Sequence, residues 1–265
     1  MDQTAVNCFR AAGCPFGMRQ IGSDSMPQLA EFLRRQKNPQ AVRILSWLRA
    51  YGVKYPFCVF YSLSEGTDMV GAAVVRGSSV TGYLTQDSPV FASFCQTIAA
   101  TEISVNRTIS LQQKYQQRSG RIFYSPKSPQ PAAVQLQTGE YQVCYEILKE
   151  AFPSFSTPFD AWYCEICHMV RHQEGILLHS NQQATFFLTG LSSPLAVGQH
   201  LAVRPSEQGN GIGKELLQAA AAYCSGRNQQ ICCYSKNAAS DLFYRSVGWL
   251  EQGKWYEYQQ KGDSI

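Results

Sequence analysis

Long apolar runs are absent from this chain. No stretch approaches the roughly 18 consecutive apolar residues of a membrane-spanning helix. The opening segment, Met1–Met18, lacks the charged start and the apolar core of a secretory signal. We therefore expect a cytoplasmic protein that has no membrane partner.

Charge is also scarce. Charged residues make up 16% of the chain, and the net charge is only +4. Lysines and arginines are scattered except in the run Arg34-Arg35-Gln36-Lys37, which follows an apolar helical pattern. Because no aromatic residue is interleaved there, this run is typical of a solvated helix end rather than of a nucleic-acid-binding patch. We expect no nucleic-acid partner.

The ten cysteines lack the spacing of a disulfide framework, which indicates reduced thiols in a chain of this length. One run, Cys164-Glu-Ile-Cys167-His168, matches the C-x-x-C-H pattern of haem attachment. That chemistry requires an exported protein, and segment 158–172 is compatible with a helix. A zinc site would need a second pair of ligands. We expect no metal.

The most informative stretch is the glycine-rich segment 203–213, which reads Val-Arg-Pro-Ser-Glu-Gln-Gly-Asn-Gly-Ile-Gly. The apolar run Leu195–Val203 leads into it and the helical pattern 214–223 follows it, so a strand feeds a turn that opens a helix. Its glycines leave backbone N–H groups uncovered at a helix N-terminus, where an anion is favoured. The segment predicts a phosphate-binding loop; the alternative is a glycine-rich turn without a ligand.

Two common phosphate loops do not fit this segment. A Walker loop requires Gly-Lys-Ser/Thr, whereas Gly213-Lys214 is followed by Glu215, so the hydroxyl that would hold magnesium is missing. A dinucleotide fingerprint requires G-x-G-x-x-G early in a βαβ unit. The spacing here is G-x-G-x-G, and the loop comes late in the chain.

The residues resemble those of the GNAT acyl-CoA N-acetyltransferases. The run Gln208-Gly209-Asn210-Gly211-Ile212-Gly213 is similar to that family's pyrophosphate loop, Q/R-x-x-G-x-G/A, and Leu201-Ala202-Val203-Arg204-Pro205 resembles the end of its fourth strand. The segment from Asn237 to Trp249 resembles the N-x-x-A-x-x-x-Y-x-x-x-G-F segment, with Ser240 in place of Ala and Trp249 in place of Phe. The resemblance covers roughly residues 140–260.

This resemblance implies transfer of an acetyl group from acetyl-CoA to the primary amine of a small molecule or peptide, in a monomer or homodimer. It implies that Tyr244 is the general acid that protonates the departing thiolate; the alternative is a packing aromatic in the last helix. Asn237 would contact CoA, which is compatible with a helix N-cap. The remaining implied CoA contacts are Leu201, Ala202, Val203, Gln208, Gly209, Asn210, Gly211, Ile212, Gly213 and Lys214.

The general base is less well defined. Many members of the family carry a carboxylate on the fourth strand, but the corresponding run Leu195–Val203 has only Gln199 and His200 as polar residues. His200 is a candidate base because a histidine accepts a proton near neutral pH. A structural histidine, Glu165 as the base, and relay through water are the alternatives.

The pattern of elements predicts an α/β fold of mixed α+β type. In the second half, helices are expected over 141–151, 159–172, 214–225 and 238–247, and strands over 175–179, 184–190, 195–203, 230–235 and 254–259. In the first half, strands are expected over 17–21, 57–63, 69–76, 80–84 and 102–105, and helices over 25–36, 39–50 and 90–100. This order resembles the GNAT fold, a central, mostly antiparallel mixed sheet flanked by helices.

An apolar content of 45% in 265 residues allows one large domain or two small ones. We expect a degenerate GNAT-like domain over 1–124, a Ser/Pro/Gln-rich linker over 125–137, and a catalytic GNAT domain over 138–265. This layout resembles bacterial tandem proteins, although no glycine-rich loop follows a strand in the first half, and an unrelated α+β domain is the alternative there. A non-catalytic CoA-binding or sensory protein is the alternative function.

Overall fold

A computed structural model describes residues 8–10, 14–127 and 136–261. The chain forms two compact units: unit 1 comprises Met1–Gly120 with Lys254–Ile265, and unit 2 comprises Arg121–Gly253. The predicted domain boundaries differ from these units most at the C-terminal strand, which was expected in the second domain but pairs in unit 1. Of the predicted linker, residues 128–135 lie outside the described residues. Ser125 is buried in unit 2, where its N–H donates to the carbonyl of Ile231 and its hydroxyl accepts from the N–H of Ile231.

The first part of the chain alternates strands and helices in the order expected from the sequence. Its elements are β1 (Cys8–Arg10), β2 (Phe16–Gln20), α1 (Met26–Arg34), α2 (Pro39–Tyr51), β3 (Val59–Glu65), β4 (Asp68–Arg76), β5 (Ser79–Leu84), α3 (Pro89–Thr97), β6 (Glu102–Val105) and β7 (Tyr115–Tyr124).

The second part repeats this alternation with longer helices. Its elements are β8 (Gln137–Thr138), α4 (Tyr141–Ala151), α5 (Phe159–Arg171), β9 (Gly175–Ser180), β10 (Ala184–Thr189), β11 (Leu195–Val203), a 3₁₀ turn (Pro205–Glu207), α6 (Ile212–Ser225), β12 (Gln230–Ser235), α7 (Ala238–Ser246) and β13 (Leu250–Gln260).

In unit 1 the strand order is β1-β2-β3-β4-β5-β6-β13. The pairs are antiparallel except β5 and β6, which are parallel. The last strand joins this sheet because Tyr256–Gln259 pair with Glu102–Val105. Helix α3 supplies Phe91 and Phe94 to the core of this unit, and both are fully buried.

In unit 2 the strand order is β8-β9-β10-β11-β12-β7, and β7 contributes Arg121–Tyr124. The described pairs are antiparallel except β11 and β12, which are parallel. A parallel pair needs a crossover connection, and α6 provides it. The predicted mixed α/β class with a mostly antiparallel sheet is confirmed.

Successive residues of a strand point to opposite faces of the sheet, and β10 uses both faces. Phe186 packs in the cluster that contains the apolar residues of α6 and Tyr244 of α7. Phe187 lies on the other face, where its ring is 6.3 Å from that of His200. Helices α4 and α5 contact the sheet through β9, β10 and β11. The two faces of unit 2 are therefore covered by different helices.

The predicted helices and strands are present, with shifted ends, and three strands were missed. Helix α6 begins at Ile212 rather than 214, because Gly211 caps it in the left-handed conformation. The missed strands are β1, β7 and β8. The longest, β7, is exposed over Gln116–Ser119 and buried at Tyr115, Ile122 and Phe123, so its sequence lacks the apolar alternation that predicts a strand.

Close packing at Gly198 of β11 leads to a first testable prediction. A Cβ atom added there would lie 2.4 Å from Cζ of Phe186 and 2.5 Å from Sγ of Cys233, both buried. We expect Gly198→Ala to lower the free energy of unfolding by about 1–3 kcal/mol, as overpacked cores do. Gly22→Ala is the control, because nothing lies within 4 Å of its added Cβ. Equal melting temperatures for the two variants would contradict the packing described here.

Candidate functional site

The glycine-rich segment forms a turn between β11 and α6. After the 3₁₀ turn, Gly209 and Gly211 adopt φ angles of 86° and 82°, values that side-chain-bearing residues rarely adopt. Gly211 is the N-cap of α6, and the first helical bond runs from the N–H of Glu215 to the carbonyl of Gly211 at 3.0 Å. The amides of the first helical turn therefore have no acceptor within the helix and lie at its positive end.

Glycine at 213 is required for a different reason. A Cβ there would lie 3.2 Å from Cγ2 of Val203 and 3.4 Å from Cζ of Phe243, so α6 starts tightly against the end of β11. Around this turn the side chains of Gln208, Asn210 and Lys214 are exposed. Gln208 uses its amide to donate to the carbonyl of Val203 at 3.1 Å, which braces the turn. The geometry forms an open cradle of backbone amides.

Strands β11 and β12 separate beside this cradle. Their parallel register runs from Leu195 opposite Gln230 to Gly198 opposite Cys233, after which β11 continues for five residues to Val203. We call the separation beyond Gly198 the fork. Along the fork, Leu201, Ala202 and Val203 present a strand edge that can take an added chain, as an edge strand does.

A β-bulge lies at the fork. Thr185 is opposite Ala202 and Phe187 is opposite Gln199, so two residues of β11, His200 and Leu201, lie opposite one residue of β10, Phe186. A bulge bends its strand and terminates pairing. His200 lies in it with a φ of 53°, a conformation uncommon for a residue with a side chain.

The imidazole of His200 is held from α5. Nε1–H of Trp162 donates to Nδ1 of His200 at 3.4 Å. A neutral imidazole has one acceptor nitrogen, and here that nitrogen faces an N–H donor. The contact orients the imidazole at the bulge, and the base role of His200 stays a prediction. Glu165 lies on α5 and is partly buried.

Tyr244 lies at the base of the fork on the face opposite His200. Its side chain is 6% exposed, and its ring stacks on Phe123 at 5.3 Å. Burial, followed by the interaction with the Cys233 thiol, raises the pKa of Tyr244 well above its usual range. Its hydroxyl hydrogen-bonds Cys233, the residue paired with Gly198 at the last position before the fork. Tyr244 is therefore both a core residue and a phenol that stays protonated at neutral pH.

Asn237 is the N-cap of α7, a role that is compatible with the implied CoA contact. Its Oδ1 accepts from the N–H of Ser240 at 2.8 Å and from the Ser240 hydroxyl at 3.0 Å. Asn237 is exposed and follows the end of β12. The start of β12 pairs with β11 at Leu195. The cap fixes the start of α7, the helix that carries Tyr244.

Sequence reasoning missed two residues that support the site. Arg204, directly after β11, donates from its Nε to the carbonyl of Gln182 at 2.9 Å and pairs with Glu150 of α4. Cys233 partners Tyr244 while its own pKa is raised to about 12 by burial. The buried strand sequence around Cys233 gave no signal for this role, and the Arg204 pairing depends on a residue 54 positions away.

Unit 1 contains a similar parallel pair, β5 and β6, but a side chain occupies the place where these two strands separate. The register of β5 and β6 ends at Gly82 opposite Val105. The next residue, Asn106, accepts from the N–H of Leu84 at 2.8 Å and donates to the carbonyl of Leu84 at 2.9 Å. The side chain of Asn106 thus occupies the backbone groups that an added chain would use. In the fully described stretch 85–88, no glycine-rich turn follows β5; the chain enters α3 through Ser88 and Pro89.

Three further observations concern metal-binding groups, cysteines and membrane-spanning helices. Within residues 8–10, 14–127 and 136–261, no three His, Cys, Asp or Glu side chains are grouped so that they could hold a metal ion. All ten cysteines are free thiols. Across the same residues, no helix has the length and apolar character needed to cross a bilayer.

Unit 2 therefore combines a forked parallel pair, a cradle of amides after its longer strand and a protonated phenol at the fork. Residues 167–251 match the family model described as an acetyltransferase (GNAT) domain. A GNAT domain is therefore identified within unit 2, as the sequence resemblance implied. No curated protein matches the chain.

Solved structures extend the similarity of fold to the whole chain. A GCN5-related N-acetyltransferase from Sphaerobacter thermophilus aligns with a TM-score of 0.61 at 14% identity, covering 95% of this chain and 98% of that one. A GNAT-family acetyltransferase from Colwellia psychrerythraea aligns with a TM-score of 0.55 at 14% identity, covering 92% and 99%.

A tandem GNAT protein from the clavulanic acid biosynthesis pathway aligns with a TM-score of 0.57 at 12% identity, covering 92% of this chain and 97% of that chain. At these low sequence identities, the structural alignments show similarity of fold alone. They include unit 1, so the expectation of a GNAT-like fold in the first half is confirmed.

Proposed function

We propose that this protein is an N-acetyltransferase that transfers an acetyl group from acetyl-CoA to a primary amine in a ternary complex. The observation that carries the proposal is the continuity of β11: one strand supplies the fork edge and leads directly into the amide cradle. The cradle suits a pyrophosphate, and the fork edge suits the amide-bearing pantetheine arm. The distance between them is set by the covalent chain from Gly198 to Gly213.

In this proposal the amides of residues 209–214 bind the pyrophosphate, and Lys214 adds a positive charge at the first turn of α6. Leu201, Ala202 and Val203 contribute backbone groups that hold pantetheine and polarise the thioester carbonyl. The amine nitrogen attacks the acetyl carbon, the carbon–sulfur bond breaks, and the sulfur takes a proton from the Tyr244 hydroxyl. The proton lost by the amine passes to water, because Nδ1 of His200 already faces Trp162, and water returns a proton to the Tyr244 oxygen.

Binding stoichiometry separates the roles of the two units. We expect calorimetry to give one acetyl-CoA site per chain, because Asn106 occupies the Leu84 backbone groups in unit 1 and Pro89 at the start of α3 has no N–H to offer. A stoichiometry of two would contradict the degenerate role of unit 1. Asn106→Ala is a useful control, since it removes the side chain but adds no cradle, and it should leave the stoichiometry at one.

The reaction itself is tested by release of free CoA thiol. We expect the release to accelerate when an amine acceptor is added to protein and acetyl-CoA, and a mixture of amines, amino acids and peptides serves as a first screen. A non-catalytic CoA-binding or sensory protein would bind acetyl-CoA with the same stoichiometry. It would release no thiol above the rate of spontaneous hydrolysis for any amine, and that result would contradict the proposed function.

A further inference from the structure

The face of the fork opposite Tyr244 is built from aromatic rings. His200, at the bulge, lies 6.3 Å from the Phe187 ring and 5.9 Å from the Phe155 ring, measured between centroids. Phe155 belongs to the connection between α4 and α5, so this connection reaches the point where β11 leaves β12. Trp162 of α5 completes the contact through its hydrogen bond to His200.

These rings form a continuous cluster. Tyr145 of α4 lies 5.2 Å from Phe159, 5.5 Å from Trp162 and 6.1 Å from Phe155, again between ring centroids. We call Tyr145, Phe155, Phe159, Trp162 and His200 the aromatic wall. Trp162 is 3% exposed, whereas the other four are partly exposed, so the wall is anchored in the core and presents ring surface outward.

The connection that carries Phe155 is fixed in place. The Tyr145 hydroxyl donates to the carbonyl of Thr157 at 2.8 Å, and Nζ of Lys149 donates to the carbonyl of Phe155 at 2.8 Å. The N–H of Phe155 also donates to the carbonyl of Phe152 at 2.8 Å. A preorganised ring surface can bind a ligand without the cost of ordering its own backbone.

The wall is also poor in charge. The connecting segment 152–158 reads Phe-Pro-Ser-Phe-Ser-Thr-Pro and contains no charged residue. Of the neighbouring charges on α4, Lys149 is bound to the Phe155 carbonyl and Glu150 pairs with Arg204. Asp160 is exposed in the first turn of α5. Glu146 of α4 is also exposed and Glu165 of α5 is partly buried, so the carboxylates lie on the helices and the segment between them presents rings without a charge.

We infer that the acceptor is a primary amine attached to an aromatic or similarly flat apolar body. This inference rests on the proposed function and names its substrate class. The apolar body stacks on the aromatic wall, where rings pair at centroid separations of about 4.5–7 Å. The amine then lies toward the bulge, and the ring faces near His200 favour its approach as an ammonium ion before it loses a proton.

The test compares three probe amines: 2-phenylethylamine, ethylamine and spermidine. We expect kcat/KM for 2-phenylethylamine to exceed that for ethylamine by at least about tenfold, because burying an aromatic ring is worth more than a factor of ten in binding. Spermidine should be the poorer substrate despite its greater charge. Phe155→Ala should reduce the ratio of 2-phenylethylamine to ethylamine toward one while the Kd for acetyl-CoA stays unchanged.

Two further variants serve as controls for this test. Phe155→Leu keeps an apolar side chain and should give an intermediate ratio if Phe155→Ala is poorly folded. Phe57→Ala removes an exposed aromatic residue from unit 1, where Phe57 is 50% exposed, and should leave the ratio unchanged. A preference for spermidine, or a ratio that is the same in folded Phe155→Ala and in the unaltered protein, would overturn the inference.

Calorimetry of 2-phenylethylamine with the CoA-loaded protein distinguishes this inference from the proposed function. Binding that is weakened by Phe155→Ala, without turnover of any amine, would support the aromatic wall and contradict the transferase. Turnover of spermidine without binding of 2-phenylethylamine would support the transferase and contradict the aromatic wall.

Discussion

Gly211→Asp should abolish measurable binding of acetyl-CoA while the protein remains folded. The new carboxylate would lie at the N-cap of α6, in the space that the proposed pyrophosphate occupies. At about 4 Å, each pair of like charges costs on the order of 1–4 kcal/mol at surface-like dielectric, so two phosphate charges together weaken binding by about 30-fold or more. Calorimetry with acetyl-CoA measures this loss directly.

Backbone strain must be separated from charge in this experiment. Gly211 has a φ of 82°, and any side chain in that conformation costs roughly 1–2 kcal/mol, although nothing lies within 4 Å of an added Cβ. Gly211→Asn is the matched control, because it has the same shape as Asp, no charge, and a better tolerance of the left-handed region. We expect it to retain much of the affinity. Equal affinities for folded Gly211→Asp and the unaltered protein would remove the cradle as the phosphate site.

Tyr244→Phe should lower kcat by roughly 10²–10⁴-fold, the range for a general acid, with the affinity for acetyl-CoA nearly intact. The ring still stacks on Phe123, so the packing is retained. The pKa of Tyr244 is raised well above 10 by burial, so its hydroxyl keeps its proton as the pH rises through neutrality. The kcat of the unaltered protein should therefore not fall between pH 7 and 9 through loss of this proton. Single-turnover rates at saturating amine measure the chemical step.

Tyr115→Phe serves as the control for removal of a buried hydroxyl. The Tyr115 hydroxyl donates to the carbonyl of Ala100 at 2.7 Å in unit 1, and its removal should lower the melting temperature without changing kcat. If Tyr244→Phe behaves in the same way, with a rate loss below about threefold when chemistry is rate-limiting, Tyr244 is a packing residue. The thiolate would then take its proton from water or from the incoming ammonium.

The sequence predicted the order of elements in both halves and the position of the glycine-rich turn before α6. These features depend on local information: apolar periodicity over one element, and glycines at 209 and 211, where the backbone adopts positive φ. The sequence also indicated that only one half carries such a turn. The family assignment of unit 2 followed from the same local motifs.

Strand β7 and the membership of the last strand in unit 1 were not predictable in this way. The middle of β7 is exposed, so its apolar pattern is too short to read, and its pairing with β12 becomes visible only in the sheet. The last strand follows unit 2 in the chain, but its Tyr256–Gln259 segment pairs with Glu102–Val105. Backbone pairing between distant segments leaves no trace in the composition of either one.

In the candidate site, too, some features were predictable from the sequence and others required the folded structure. The order of residues was enough to place a tyrosine in the last helix and a histidine on the fourth strand of unit 2. Folding was needed to bring Tyr244 beside Cys233 and His200 beside Trp162, on opposite faces of the sheet. The bulge at His200 follows directly after the last residues of β11 that pair with β12, and it places His200 beside the fork. A bulge is defined by the register between two strands, and register is a property of the folded sheet rather than of either sequence.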